Sequence, residues 1–314
     1  MAAPIAPGPL AAFSESLASI VDSVGASTLS VPGRHRRGLG SAVVWKAGVA
    51  VAAAHVFRRT PAAITLVGVD GKTVEATLAG IDSSTDIAVF RIAEDAAPAA
   101  SFGDATAVRA GSLVVAVGRS PSGDLTASHG IVNKTSGPWE TWLGGLVDRL
   151  IRLDGGVYEG LSGGPVADAH GAVIGIATSA LSRSYGIVVP ATTVTRVVDA
   201  LLSKGRVARA FLGIGAQAVP LDELHGDDDE ESAAAAVGLL VTNVVSGGPA
   251  QSAGVRIGDI LVSVNGVAAT SLQHLRQALA DQVGQAVKVT LLRGGVSTEL
   301  ALTVGEWPTE RQRC

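Results

Sequence analysis

The chain has 314 residues, of which 47% are hydrophobic and 17% are charged, and its formal net charge is −4. This composition is too apolar for an intrinsically disordered chain, and a net negative charge argues against a general nucleic-acid-binding protein. At roughly 150 residues per domain, the length predicts about two domains. The single cysteine, Cys314, cannot form a disulfide within the chain, so core packing alone must hold the fold.

The segment 1–25 is predicted to be flexible and rich in Ala and Pro, with a short amphipathic helix at 15–24. No positively charged region precedes its apolar part, so the sequence shows no secretory signal. No stretch approaches the ~18–20 consecutive apolar residues that a membrane helix needs. On the sequence alone we therefore expect no integral membrane segment, and either a cytoplasmic location or a leader that lies outside this chain.

Two groups of short β runs, rich in Val, Ile and Thr, follow the first segment. The first group comprises 41–45, 49–54, 62–69, 73–81 and 86–92, and the second comprises 111–118, 125–132, 149–153, 171–180 and 185–191. Asp70 and Gly71 stand between two runs of the first group and are a strong hairpin signal. Many short strands at regular spacing indicate sandwiches or barrels. The two groups, which would supply about six strands each, therefore predict a mainly β domain of two antiparallel barrels over residues 26–203.

A helical pattern separates these strands from a last unit. Apolar residues recur at helical spacing over 192–205, and Gly205 provides a C-terminal stop. Residues 204–308 then combine short strands with a helix at 271–282, which predicts a small α+β domain. Residues 309–314 are predicted to be a tail.

The sharpest local feature is a glycine-rich turn, in which residues 160–165 read Gly-Leu-Ser-Gly-Gly-Pro. Glycines on both sides of Ser162 allow a tight turn that exposes its hydroxyl and lets backbone N–H groups converge, as an oxyanion hole requires. An ordinary Gly/Ser turn has the same composition, so these six residues alone do not distinguish a catalytic turn from an ordinary one. A β segment rather than a helix follows it, which argues against the nucleophile elbow of α/β-hydrolases.

Two further residues complete a candidate catalytic triad. A nucleophilic serine needs a base, and the base needs a group that orients it. His55 ends a β run, and Asp86 opens the apolar run 86–92. Taken alone, His55 is equally an ordinary histidine and Asp86 equally a strand-start cap. The order His55, Asp86, Ser162, split between the two strand groups, predicts an active site in the cleft between two barrels.

The sequence resembles the high-temperature-requirement (HtrA/Deg) family of chymotrypsin-fold serine proteases that carry a PDZ domain. The resemblance covers about residues 15–308. In the protease part it rests on GLGSAVV (38–44), AAAHVF (52–57), DIAVFRI (86–92), GIV (130–132), LSGGPV (161–166), GAVIGI (171–176) and YGIVVP (185–190). In the last unit it rests on FLGIG (211–215), GGPAQSAGVRIGDILVSVNG (247–266) and the helix at 271–282.

The resemblance implies a role for each residue of the candidate catalytic site. Ser162 would be the nucleophile, His55 the general base and acid, and Asp86 the group that orients His55. The N–H groups of Gly160 and Ser162, together with Leu161, would form the oxyanion hole. The resemblance implies no metal ion and no organic cofactor.

The resemblance also implies partners. Phe211, Leu212, Gly213 and Ile214 match the carboxylate-binding loop of a PDZ domain, which captures peptide C-termini by strand addition. The substrates would be unfolded or damaged polypeptides, with no nucleic-acid partner. The resemblance further implies that the protein forms a homotrimer and acts in the cell envelope.

One segment departs from the family pattern. Tyr158, Glu159, Gly160 and Leu161 stand where the family typically has Asn-Pro-Gly-Asn before the nucleophile. Glu159 would bring a negative charge close to the oxyanion hole. This departure keeps an alternative open, in which the chain is a catalytically weak or inactive protease-fold scaffold that acts as a peptide-binding, chaperone-like protein.

Overall fold

The computed structural model describes residues 8–33, 39–57, 62–221, 237–279 and 282–307. The chain divides into two compact units, residues 1–207 and 208–314. This division lies four residues beyond the predicted boundary after residue 203. The predicted tail at 309–314, and residues 1–7 of the predicted flexible segment, lie outside the described residues.

The first six strands of unit 1 form an antiparallel barrel. They are β1 (Thr28–Val31), β2 (Gly40–Lys46), β3 (Val49–Ala53), β4 (Ala63–Val67), β5 (Thr73–Asp82) and β6 (Ile87–Arg91). The barrel closes in the order β1-β2-β3-β6-β5-β4, around buried side chains such as Leu66 and Phe90. The predicted hairpin joins β4 to β5, where Asp70 and Gly71 have φ of 55° and 70°. Such left-handed conformations suit Asp and Gly.

The second strand group forms the other barrel. Its strands are β7 (Leu113–Arg119), β8 (Leu125–Ser136), β9 (Trp139–Glu140), β10 (Leu146–Val147), β11 (Leu150–Leu153), β12 (Pro165–Asp168), β13 (Val173–Thr178) and β14 (Ile187–Pro190). Strands β9 and β10 pair as a separate hairpin, and the other six close in the order β11-β14-β13-β12-β7-β8. The predicted fold class of two six-stranded antiparallel barrels is thereby confirmed.

The helix α1 (Pro9–Gly25) precedes the first barrel and begins six residues earlier than predicted. Its residues Ile20 and Val24 are buried in one cluster with Val115 and Val117 of β7. Residues 9–14, which were predicted to be flexible, are therefore part of a helix that packs on the second barrel. Pro9 is tolerated there because the first turn of a helix has no internal acceptors for its N–H groups.

A buried arginine joins the end of α1 to the second barrel. Arg119 is 4% exposed, and its guanidinium donates to the backbone carbonyls of Gly25 and Thr28, both at 2.6 Å, and of Gly123. Burial lowers the pKa of this guanidinium. Hydrogen bonds to three carbonyls compensate for part of the desolvation that a buried charge suffers.

The helix α2 (Ala191–Lys204) agrees with the predicted helix at 192–205. Its apolar stripe, with Val194 and Leu201 buried, packs in the main core of unit 1, and Gly205 ends it with φ of 69°. Positive φ at this position is typical of a helix C-terminus that glycine terminates. Within the described part of the chain, no helix is both long enough and apolar enough to cross a membrane.

Unit 2 is a small α+β domain. Its elements are β15 (Ala210–Phe211), β16 (Ile214–Pro220), β17 (Val237–Val244), α3 (Pro249–Ser252), β18 (Ile260–Val264), β19 (Val267–Ala268), α4 (Leu272–Leu279), β20 (Ala286–Arg293), β21 (Val296–Thr303) and β22 (Gly305–Glu306). The main sheet has the order β16-β17-β18-β20-β21, which places β16 at an edge. The helix predicted at 271–282 is α4, and Leu275 and Leu279 bury its apolar side in the core of the unit.

An ion pair stabilises one end of this sheet. The Asp259 carboxylate is buried and accepts hydrogen bonds from the Arg293 guanidinium, at 2.8 Å on both oxygens, and from the Arg256 N–H at 2.7 Å. The hydrogen bond from Arg293 lowers the pKa of the Asp259 carboxyl. Two parallel bonds of this kind fix geometry better than a single contact, which helps to hold β18 against β20.

Candidate active site

His55 and Asp86 are held together at one end of the first barrel. His55 lies in a single 3₁₀ turn, Ala54–Val56, directly after β3, and Asp86 directly precedes β6. The Asp86 carboxylate is 2.7 Å from His55 Nδ1, and it also accepts the His55 backbone N–H at 2.8 Å. A neutral imidazole that donates from Nδ1 to a carboxylate keeps Nε2 unprotonated, which is the form a general base needs.

The Asp86 carboxylate is also held by the second barrel. Its side chain is 4% exposed, and Thr178 at the end of β13 donates to Asp86 Oδ2 at 2.5 Å. Asp86 adopts a left-handed conformation with φ of 61°, which costs about 1–2 kcal/mol for a residue other than glycine. The backbone carbonyl of Asp86 accepts the Ala54 N–H, so backbone and side chain both hold this conformation. The orientation of His55 is therefore fixed from two sides.

Ser162 lies in a tight turn before β12, on the second barrel. Gly163 has φ of 84°, and a Cβ at this position would clash with the backbone of Ser41 and Ala53 from the first barrel. The Ser41 N–H donates to the Ser162 carbonyl at 2.9 Å. The two barrels therefore lie in close contact beside the serine, and only glycine fits at 163.

The backbone of this turn leaves two N–H groups unused. Gly160 has φ of 87°, and its carbonyl accepts the Ser41 hydroxyl at 2.7 Å. The Leu161 N–H donates to the Tyr158 carbonyl at 3.1 Å, so Leu161 is not available as an oxyanion donor, in contrast to what the sequence analysis expected. Among the described residues, neither the Gly160 N–H nor the Ser162 N–H has a protein acceptor. Both groups are therefore available to donate a hydrogen bond to a bound ligand.

The side chain of Ser179 lies between the Ser162 hydroxyl and the His55 ring. Ser162 Oγ lies 3.3 Å from Ser179 Oγ, and Ser179 Oγ lies 3.3 Å from His55 Nε2. In the part of the chain that the structure covers, no direct hydrogen bond joins Ser162 to His55. The structure thus brings the three predicted residues into one cluster, with Ser179 between two of them.

Three residues of this cluster were missed in the sequence analysis. Thr178 ends the apolar strand β13 and Ser179 directly follows it, and this succession of two hydroxyl residues was the only signal for them. Ser41 gave no signal, because it reads as one small residue in an apolar strand. Its contacts with Gly160 and Ser162 exist only after both barrels have folded.

In unit 2, the predicted peptide-binding residues form one loop. Phe211 ends β15, Leu212 and Gly213 connect the strands, and Ile214 begins the edge strand β16. Gly213 has φ of 75°, and the carbonyls of Leu212 and Gly213 accept N–H groups of Ala250 and Val245. Over the described ranges, the N–H groups of Leu212 and Gly213 donate to no protein acceptor. The loop therefore offers two N–H donors without an acceptor among the described residues, beside the edge strand β16.

Comparisons with known proteins agree with this architecture. The family model for a trypsin-like peptidase domain matches residues 40–176, and the model for a PDZ domain matches residues 240–293. A protein of Chlamydia trachomatis named probable periplasmic serine endoprotease DegP-like is 33% identical over 247 residues, which are 77% of this chain and 48% of that protein. A relative of the same name from Rhizobium meliloti is 33% identical over 260 residues, 79% of this chain and 49% of that protein. The chain spans about half the length of these curated relatives.

Solved structures give the same result. The HtrA-type protease AlgW with a tripeptide is similar with a TM-score of 0.76 and 26% identity, covering 94% of this chain and 98% of that chain. The serine endoprotease from Yersinia pestis is similar with a TM-score of 0.73 and 25% identity, covering 98% of this chain and 100% of that chain.

The fold and the matched domains define a trypsin-like peptidase domain followed by one PDZ domain. Within that class the chain is of the HtrA/Deg type, as the resemblance predicted. All four of these relatives are named as proteases, so they give no support to the alternative of a non-catalytic scaffold.

Proposed function

We propose that this chain is a serine endopeptidase that cleaves unfolded or damaged polypeptides through an acyl-enzyme. One observation carries the proposal: a His55 imidazole bound to the buried Asp86 carboxylate lies in one cluster with Ser162, beside the unused N–H groups of Gly160 and Ser162. A base, a nucleophile and two oxyanion donors are the set that peptide-bond hydrolysis through an acyl-enzyme requires.

The proposed mechanism has two halves. In the first, Ser162 Oγ attacks the scissile carbonyl while His55 Nε2 takes the hydroxyl proton, and the Gly160 and Ser162 N–H groups stabilise the oxyanion. His55 then returns the proton to the leaving amine. In the second half, His55 activates a water molecule that attacks the acyl-enzyme and releases Ser162. Asp86 stabilises the imidazolium in both halves without taking its proton.

A digestion experiment tests the proposed activity. The protein should digest unfolded casein, and a small sulfonyl fluoride should stop the digestion because it forms a covalent bond with an activated serine. Mass spectrometry of the inhibited protein should find one modification, on Ser162. Digestion that continues after Ser162 is fully modified would contradict the proposal.

We further propose that unit 2 binds the C-terminus of a polypeptide for substrate capture or regulation. The peptide would add a strand to the edge strand β16. Its C-terminal carboxylate would accept hydrogen bonds from the N–H groups of Leu212 and Gly213. A peptide with a free C-terminus should bind at least about tenfold more tightly than the same peptide with a C-terminal amide, because hydrogen bonds to a charged group are stronger. Fluorescence anisotropy measures both affinities, and equal affinities would contradict this proposal.

Assembly and location are proposed from the family. We propose a homotrimer, supported by the exposed apolar residues Leu10 and Phe13 on α1, which are 81% and 43% exposed. Sedimentation that shows a monomer at micromolar concentration would contradict it. Because the relatives are named as periplasmic proteins, we propose a cell-envelope location, which fractionation of the source cells tests.

A further inference from the structure

The side chain of Ser179 lies between the proposed nucleophile and the proposed base. Its hydroxyl oxygen is 3.3 Å from Ser162 Oγ and 3.3 Å from His55 Nε2. The preceding residue, Thr178, cannot take this place because its hydroxyl is committed to Asp86. Ser179 is therefore the hydroxyl that contacts both reacting groups.

The direction of these hydrogen bonds follows from the chemistry of the imidazole. In the neutral imidazole, the one ring proton lies on the nitrogen that faces the Asp86 carboxylate, which is His55 Nδ1, so Nε2 has one lone pair and can accept one hydrogen bond. Ser179 then donates its proton to Nε2, and the Ser179 oxygen accepts the proton of Ser162. In this arrangement the base is occupied, and Ser162 is bound to an oxygen that is far less basic than an imidazole.

We propose that Ser179 is a further residue of the catalytic centre, which holds His55 Nε2 in the substrate-free protein and must turn away before Ser162 can be activated. This inference rests on the proposed endopeptidase function. It assigns Ser179 a restraining role, so that the nucleophile stays unreactive until the cleft is occupied.

Two observations favour restraint over a proton relay through Ser179. Both contacts are 3.3 Å, whereas good hydrogen bonds between two oxygens or between oxygen and nitrogen are about 2.7–3.0 Å long, and a relay needs two short bonds in line. The Ser179 residue is exposed and carries one rotatable χ angle, so it can turn into solvent at little cost. Long contacts on an exposed side chain suit a group that must leave, not one that must conduct a proton.

Substitution of Ser179 distinguishes the two roles, because loss of a restraining hydroxyl should make Ser162 react faster and loss of a relay should make it react more slowly. Ser179→Ala should increase the rate at which a small sulfonyl fluoride modifies Ser162 by roughly two- to five-fold, the effect of losing one weak hydrogen bond. The same variant should increase kcat/KM for a short chromogenic peptide through kcat, with KM unchanged. Ser179→Thr keeps a hydroxyl and should behave as the wild type. Ser182→Ala, in the loop that follows, is the matched control and should change neither rate.

The possible results are distinguishable. An unchanged or lower rate of modification in Ser179→Ala overturns the proposal, and a loss of more than tenfold would instead assign a relay to Ser179. Thermal unfolding of each variant checks folding, and a loss of structure cannot produce a faster reaction. Modification that persists in Ser162→Ala, or that is absent from both the wild type and Ser179→Ala, would overturn the proposed endopeptidase function and this inference with it.

Discussion

Ser162→Ala should reduce the kcat for casein digestion by about five to six orders of magnitude. The substitution removes the oxygen that forms the acyl-enzyme, while the Gly160 and Ser162 N–H groups remain in place because they belong to the backbone. The residual rate should come only from oxyanion stabilisation and substrate binding, which together give about 10³–10⁴-fold over water. Product formation followed by mass spectrometry over long incubations measures such low rates.

The control for this variant is Ser203→Ala. Ser203 is an exposed serine on α2 whose hydroxyl bonds to its own helix, and its replacement should leave digestion unchanged. Ser162→Ala should also unfold at nearly the same temperature as the wild type, because the one contact that the Ser162 hydroxyl makes with the described residues is 3.3 Å long. A Ser162→Ala protein that digests casein at more than about one tenth of the wild-type rate would exclude the acyl-enzyme mechanism.

The barrels could be predicted from the sequence because their signal is local. Short Val-rich runs such as those of β2 and β3 recur between turn residues, and the Asp70-Gly71 pair marks a hairpin directly. The early start of α1 could not be predicted in the same way. Residues 9–14 are rich in Ala and carry few signals of their own. They are helical because the helix that packs on β7 extends through them.

The candidate site was predictable only in part, for a related reason. His55, Asp86 and Ser162 stand out because each has a recognisable local context and a known order along the chain. Ser41 and Ser179 act through contacts between segments that are 119 and 124 residues apart in sequence, to Gly160 and to His55. Side-chain contacts over such separations follow from how the two barrels meet, which no local pattern encodes.

Asp86→Asn should lower kcat by about 10⁴-fold while KM changes little. The Asn amide can still lie between His55 and Thr178, but its NH₂ group would donate to His55 Nδ1 where the carboxylate now accepts. The proton of the neutral imidazole would then move to Nε2, and a protonated Nε2 cannot accept the proton of Ser162. The loss therefore comes from the wrong tautomer and from an imidazolium without its counter-charge, not from a displaced side chain.

Separate measurement of kcat and KM distinguishes this cause from misfolding, since a misfolded site loses substrate binding as well. Asp104→Asn makes the same chemical change at an exposed carboxylate outside the catalytic cluster and should leave both constants unchanged. The Asp86→Asn protein should also react with a sulfonyl fluoride much more slowly than the wild type, because that reaction needs the same base. If Asp86→Asn kept more than about one tenth of kcat, the buried carboxylate would have only a structural role, and the assignment of His55 as general base would lose its main support.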